Sequence, residues 1–264
     1  MEKIYLHAIN ANSRSYISVN TRNILKSILQ DGSLLSLRLQ RKFDLGFSFS
    51  GMDFVSLCDY DRREIVSNED ETYNSFNGKA DMNGKNYLIE LMDKNYPVIK
   101  TIDNLNYIDK LPHVNKYVIK PKDGADSIGM EFLSKEELYK NINSDDNNTL
   151  IQPLINFKYE VSFYFIDKEF QYALYAPDKN KRWELKVYTP TKEDLEFAQK
   201  FIEWNNLEHG IQRVDACRTE ENELLLVELE DLNPYLSLLE ISDELRNKFV
   251  DSLKNSLRKV LASD

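Results

Sequence analysis

Two short stretches hold the residue types that phosphate chemistry uses. Residues 120–130 read KPKDGADSIGM: Lys120 closes the apolar run YVIK, and Gly124 and Gly129 stand five positions apart in a chain with 8 glycines. The spacing matches half of the phosphate loop G-x-x-x-x-G-K-[ST], but Met130 and Glu131 stand where that motif needs lysine and a hydroxyl. The order strand, glycine turn, strand suits a hairpin whose backbone N–H groups fold over a polyphosphate while Lys120 reaches an oxygen from below. An ordinary hairpin with a surface lysine has the same pattern.

The second stretch is RVDACRTEENELLLVELEDLNP, residues 213–234. Glu228 and Glu230 are two apart on the strand-like LLLVELE and so project from one face, and an antiparallel neighbour brings Asp215 beside them. Three carboxylates at the end of an apolar hairpin repel each other unless cations lie between them. An all-oxygen donor set suits magnesium, with manganese as the alternative. A solvated strand face also uses Glu-x-Glu, yet Leu224, Leu225, Leu226, Val227 and Leu229 make this strand read as covered.

The elements that position these stretches follow from periodicity. IYLHAI reads as a strand, TRNILKSIL as a helix, and LGFSFS and DFVSLCDY as further strands, followed by a polar loop, SNEDETYNSFNGKADMNGK. NYLIELMDKN is a short helix ending before the strand PVIK. After the glycine hairpin, Ser134 and Glu137 form a capping box for EELYKNI, and TLIQPLI is a short buried strand. YEVSFYFIDKEFQYALY is a hairpin turning at Asp167-Lys168, and Thr191 and Asp194 open the helix DLEFAQKFIEWNN. GIQRVDAC and LLLVELE then flank the turn TEENE, and Ser242 caps a final helix.

Composition excludes several classes. The formal charge of −10, with 44 acidic against 34 basic residues, argues against a nucleic-acid surface and requires local cations or a metal for any anionic ligand. No apolar run approaches the roughly 20 residues of a membrane span, and MEKIYLHAINANSRS is unlike a signal peptide, so the expectation is a cytoplasmic protein. Cys58 and Cys217 form no CxxC, and His7, His113 and His209 form no i,i+4 pair, so neither a disulfide framework nor a zinc site is expected.

Taken in order, YVIKPKDGADSIGM, LIQPLINFKYEVSFYFIDKEF and RVDACRTEENELLLVELEDLNP resemble the motifs of ATP-grasp ligases, in particular the glutathione-synthetase-like branch that includes the D-cycloserine-forming enzyme. The resemblance covers roughly residues 83 to 240. It implies an α/β fold of α+β lobes: a reduced N-terminal α/β layer over 1–100, a small lid lobe with the glycine loop over 101–150, and a C-terminal lobe with the metal site over 151–264. It also implies roles by position. Lys120 and the loop from Gly124 through Ser127 to Gly129 would hold the ATP phosphates. Gln152, Leu154 and Ile155 would hold adenine through their backbone, and Glu160 the ribose hydroxyls. Asp215, Glu228 and Glu230 would hold magnesium, Arg182 and Arg213 would face the transferred phosphate, and Asn233 would contact substrate.

The chain departs from the pattern in three places. It lacks a glycine pair after RWELKVY, Asn233 stands where a glutamate is common, and Asn104 stands where a lysine is expected, leaving Lys100 or Lys110 for that role. The implied reaction is ATP-dependent amide formation between a small-molecule carboxylate and an amine through an acyl-phosphate. A kinase or cyclo-ligase, and a nucleotide-binding module without turnover, are the alternatives. No nucleic-acid or membrane partner is expected, and a homodimer is left open.

Overall fold

The computed structural model describes residues 74–75, 77–122, 129–142, 148–178, 181–232 and 234–262, together with the backbone of strands in 4–10, 35–40, 45–47, 54–56 and 71–72. Three sheets organise the chain. The first has the order β4-β3-β2-β1-β5, from β1 (Ile4–Asn10), β2 (Leu35–Gln40), β3 (Leu45–Phe47), β4 (Phe54–Ser56) and β5 (Glu71–Thr72). Its strand β1 runs parallel to both β2 and β5, while β3 and β4 complete it antiparallel. The helix expected at TRNILKSIL lies outside the described residues, and β2 is an element that sequence reading had not assigned.

The second sheet is the three-stranded β7-β6-β8, from β6 (Tyr117–Pro121), β7 (Glu131–Leu133) and β8 (Thr149–Pro153), all antiparallel. The strands expected on either side of the glycine loop are therefore present as β6 and β7, and residues 123–128 between them lie outside the described residues. Helix α2 (Lys135–Asn141) follows, opened by the expected capping box of Ser134 and Glu137. Leu138, Ile119, Tyr117 and Ile151 close a small core between helix and sheet.

The third sheet holds the larger core. β9 (Phe157–Ile166) and β10 (Glu169–Ala176) turn at Asp167, whose φ of 53° is the left-handed conformation a tight turn needs. With β11 (Lys186–Tyr188), β12 (Ile211–Thr219) and β13 (Leu224–Glu230) they give the order β11-β10-β9-β12-β13. Alternation decides its two faces. Val161, Phe163 and Phe165 of β9 and Val214 and Ala216 of β12 point to one face, under α1 (Tyr87–Asp93) and α3 (Lys192–Asn205). Each such fully buried valine or phenylalanine contributes about 1.5–3 kcal/mol relative to exposure.

The opposite face is divided. Tyr164, Ile166 and Ile211 pack beneath α4 (Asp243–Ala262), and the remaining half carries polar residues. The segment PVIK, expected as a strand, makes an isolated bridge: Val98 pairs with Leu226, and Leu226 N–H donates to the Pro97 carbonyl. No helix among the described residues is long and apolar enough to cross a membrane.

Candidate nucleotide and metal site

The polar half-face is built by strand register. On β9, Glu160 lies opposite Cys217 of β12 and Ser162 opposite Asp215; on β13, Glu228 lies opposite Asp215 and Glu230 opposite Arg213. A bulge at Val227 interrupts the β12–β13 ladder, since Asp215 pairs with Glu228 but Ala216 pairs with Leu226. The extra residue lets Leu226 and Leu229 both enter the core while Glu228 and Glu230 share the other face.

Asp215, Glu228 and Glu230 can each offer a carboxylate oxygen within 4.8 Å of the others, as the sequence pattern suggests. Arg213 holds two of them in place. Its Nε and Nη2 donate to the Asp215 oxygens at 2.8 and 2.7 Å, Nη2 donates to Glu230 at 2.7 Å, and Nη1 donates to the Tyr235 carbonyl at 2.9 Å. Although burial opposes its charge, the Asp215 and Glu230 carboxylates keep the guanidinium firmly protonated. Ser162 adds a donated hydrogen bond to Asp215 at 2.6 Å.

Lys85 is the site residue that sequence reading missed. It sits within the polar stretch read as loop, is 8% exposed, and pairs with Asp81 at 3.0 Å and with Glu228. Burial works against its charge, but the Asp81 and Glu228 carboxylates raise its pKa above the usual lysine value. Burial also lifts Asp81 well above the carboxylate range, helped by the charge of Glu228 beside it. Against its own burial, Glu228 is held down at about 2 by its hydrogen bond from Asp81 and by the Lys85 ammonium. Asp81 and Glu228 thus form one buried carboxyl pair held together by the Lys85 ammonium. Neither alternative lysine lies here: Lys100 is exposed, and Lys110 is exposed and pairs with Asp93 at 3.6 Å.

A cleft of about 270 Å³ connects this cluster to the three-stranded sheet. Lys120 and Glu228 line one part, and Gln152, Leu154, Ile155, Glu160 and Arg182 line the rest. Burial depresses the Lys120 pKa, which the nearby Glu228 charge partly offsets; among the described residues its ammonium has no hydrogen-bond or ion-pair partner. Gln152 is buried and its amide donates to Thr101 Oγ1 at 2.8 Å, while Leu154 N–H donates to the Lys116 carbonyl at 3.0 Å. Burial raises the Glu160 pKa although Arg182 Nε donates to it at 2.6 Å. Arg182 thus stands at the Glu160 end of the cleft, whereas Arg213 holds Asp215 and Glu230 and does not itself line it. Cys217 also lines the cleft, and burial pushes its thiol up to about 11.

Gly129 lies at the foot of the glycine loop with φ 78°, a conformation that favours glycine. Gly124, Ser127 and Asn233 lie outside the described residues. The signal that could have identified Lys85 is weak in sequence, since its partner Glu228 is 143 positions away.

The oxygen-only donor set fits a hard divalent cation, and Lys120, without a hydrogen-bond partner among the described residues, fits an anionic ligand with a metal beside it.

Comparison with solved structures finds the same fold elsewhere. D-cycloserine synthetase DcsG is 17% identical, with a TM-score of 0.64 over 96% of this chain and 99% of that chain. The macrocyclase MdnC bound with precursor peptide MdnA, from Microcystis aeruginosa MRC, is 12% identical, with a TM-score of 0.63 over 96% and 100% of the two chains. The ATP-grasp ligase PsnB complexed with minimal precursor, Mg and ADP is 13% identical, with a TM-score of 0.60 over 96% of each chain. No protein-family model matches the chain, and no curated protein does. The likeness shows the fold, which is that of the ATP-grasp proteins.

Proposed function

We propose that this ATP-grasp protein is an ATP-dependent carboxylate–amine ligase that forms an amide through an acyl-phosphate. The observation that carries the reading is that Lys120, Lys85 and Glu228 line one cleft, with the Asp215 and Glu230 carboxylates within 4.8 Å of Glu228. The division that goes with it gives an N-terminal layer over 1–100, a lid over 101–150 and a C-terminal lobe over 151–264, with nucleotide between the last two.

In this reading the Gln152 to Ile155 segment holds adenine and Glu160 the ribose, with Arg182 orienting the Glu160 carboxylate. Lys120, poised without a partner, supplies fixed positive charge to the phosphates, together with Lys85 and the loop of Gly124, Ser127 and Gly129. Asp215, Glu228 and Glu230 hold magnesium or manganese, which neutralises charge on the transferring phosphoryl oxygens. Arg213 orients Asp215 and Glu230, and contact with the acceptor is assigned to Asn233. A substrate carboxylate oxygen takes the terminal phosphoryl group as its bond to ADP breaks. An amine nitrogen then forms a bond to the acyl carbon as phosphate leaves, losing its proton to solvent. The scheme uses no protein nucleophile, in keeping with the buried thiol of Cys217.

Small carboxylates and amines are the proposed substrates, a homodimer is compatible with the reading, and a requirement for ATP puts the protein in the cytoplasm. The test is ADP release with magnesium, pooled carboxylates and hydroxylamine as a generic amine. Hydroxamate and ADP should form in equal amounts. Binding of ATP without ADP release from any pool would make the protein a binding module instead.

A further inference from the structure

We infer that Asp231 is a positioning residue that sets Lys85 into the cleft, an inference that rests on the nucleotide-site reading above. Asp231 immediately follows β13 and is fully buried. Its Oδ2 accepts the Ala80 N–H at 3.0 Å and its Oδ1 accepts the Met82 N–H at 2.8 Å. These two donors belong to the turn that opens the short 3₁₀ helix Asp81–Asn83, and Lys85 follows directly. Lys85 then reaches back to Glu228, three residues before Asp231 on the same strand. Strand, carboxylate, strap and lysine thus form a closed ring in which β13 supplies both the glutamate and the anchor for its cation.

The strap is seated closely. A Cβ added at Gly78 would run into the Asp231 carboxylate and Met82 Sδ. Asn74 ties the same end of β13 by donating to the Asp231 carbonyl at 2.7 Å and the Ile211 carbonyl at 2.8 Å. On the far side, Lys85 N–H donates to the Lys122 carbonyl at 3.1 Å, at the end of the lid strand β6. The strap therefore bridges the lid and the metal-site strand. A carboxylate suits this anchor because each of its two oxygens accepts one N–H group, whereas the NH2 end of a carboxamide cannot accept either. The Asp231 side chain itself does not line the cleft and acts through the strap.

Asp231→Asn and Gly78→Ala are the variants to compare, the second displacing the strap by steric conflict with the Asp231 carboxylate and Met82 while leaving the charge of Asp231 in place. Acetylation with an amine-reactive ester, read residue by residue by mass spectrometry, reports directly on Lys85. In both variants Lys85 labelling should rise about tenfold while Lys120, in the same cleft but off the strap, keeps its unmodified rate. Unchanged Lys85 labelling, or an equal rise at Lys120 from general loosening, would overturn the inference whether or not nucleotide binds. Calorimetric titration with Mg·ATP gives the second arm. Asp231→Asn should weaken binding about tenfold in the natural background and less than twofold in a Lys85→Ala background, because positioning acts through that lysine. Equal losses in both backgrounds would contradict it. A natural protein that fails to bind Mg·ATP while Lys85 labelling behaves as expected would sink the nucleotide reading and leave the positioning role standing.

Discussion

Strand β12 carries an arginine–aspartate network on each face, and the two are finished differently. On the α3 side, Arg218 donates to Asp194 at 2.5 Å, to the hydroxyls of Tyr159 and Tyr188 at 3.2 Å each, and to the Asn222 carbonyl at 2.8 Å. Asp194 also accepts from Tyr188 at 2.8 Å and from the Thr191 N–H at 3.0 Å within the capping box. Every charged group there has its complement within the protein. On the cleft side, Arg213 joins Asp215 and Glu230, but the Lys120 ammonium is left without a hydrogen-bond or ion-pair partner among the described residues. Buried polar groups are normally satisfied, so loose ends point to a ligand, and closed networks point to architecture. The same strand therefore clamps a helix with one arginine and presents a site with the other.

Substitutions on the two faces should separate activity from stability. The largest effect is expected from Glu228→Gln, which keeps shape but removes one charge from the candidate metal site. ADP release should fall about a hundredfold or more, the scale of a well-placed electrostatic group, with little change in melting temperature. Turnover at the natural rate would return the acidic hairpin to a solvated face. Lys120→Ala comes next: calorimetry should show ATP affinity reduced by about tenfold, from loss of a charge-assisted contact of roughly 1.5–3 kcal/mol, with the fold intact.

The closed network should respond in the opposite way. Asp194→Ala removes the capping box and leaves Arg218 without its carboxylate, costing about 2 kcal/mol and lowering the melting temperature by roughly 4–8 °C. Turnover at 25 °C should stay at the natural level, and a large loss of kcat would break the contrast between the faces. The smallest effect is with pH. Although burial opposes ionisation, Arg218 and the Thr191 N–H hold the Asp194 carboxyl below its ordinary value. Between that lowered value and the unfolded value of about 3.9, the unfolded chain binds the extra proton, so stability falls on acidification. The melting difference between the natural protein and Asp194→Asn should therefore be full near pH 5 and shrink toward pH 3, and a difference that grows in acid would contradict the assignment.

Local pattern made much of this architecture legible. Alternation in YEVSFYFI located β9, and the Ser134 and Thr191 capping boxes located two helix starts. The spacing of Glu228 and Glu230 gave their shared face, because both lie beyond the bulge at Val227. Lys85 was hidden for a physical reason. Its stretch has no hydrophobic period, and what fixes it is a set of long-range bonds: to Glu228 from the side chain, and through Ala80 and Met82 to Asp231. The strand expected at PVIK fails similarly, since the run has the right residues but meets only the exposed edge of β13 and makes one bridge. Nothing in residue type alone distinguished the Glu160–Arg182 pair from the charged run around it.

In the proposed reading, the carboxylates of β12 and β13 hold the metal through which nucleotide is accepted into a strongly acidic protein. Thermal melting with ATP, with and without magnesium, tests it most directly. At a hundredfold excess over the dissociation constant, ligand binding stabilises by about 2.7 kcal/mol, or roughly 5–11 °C for a chain of this size. A shift of that order is expected with ATP and magnesium together, and a much smaller one with ATP alone. An equal shift with and without magnesium, or none in either case, would contradict it.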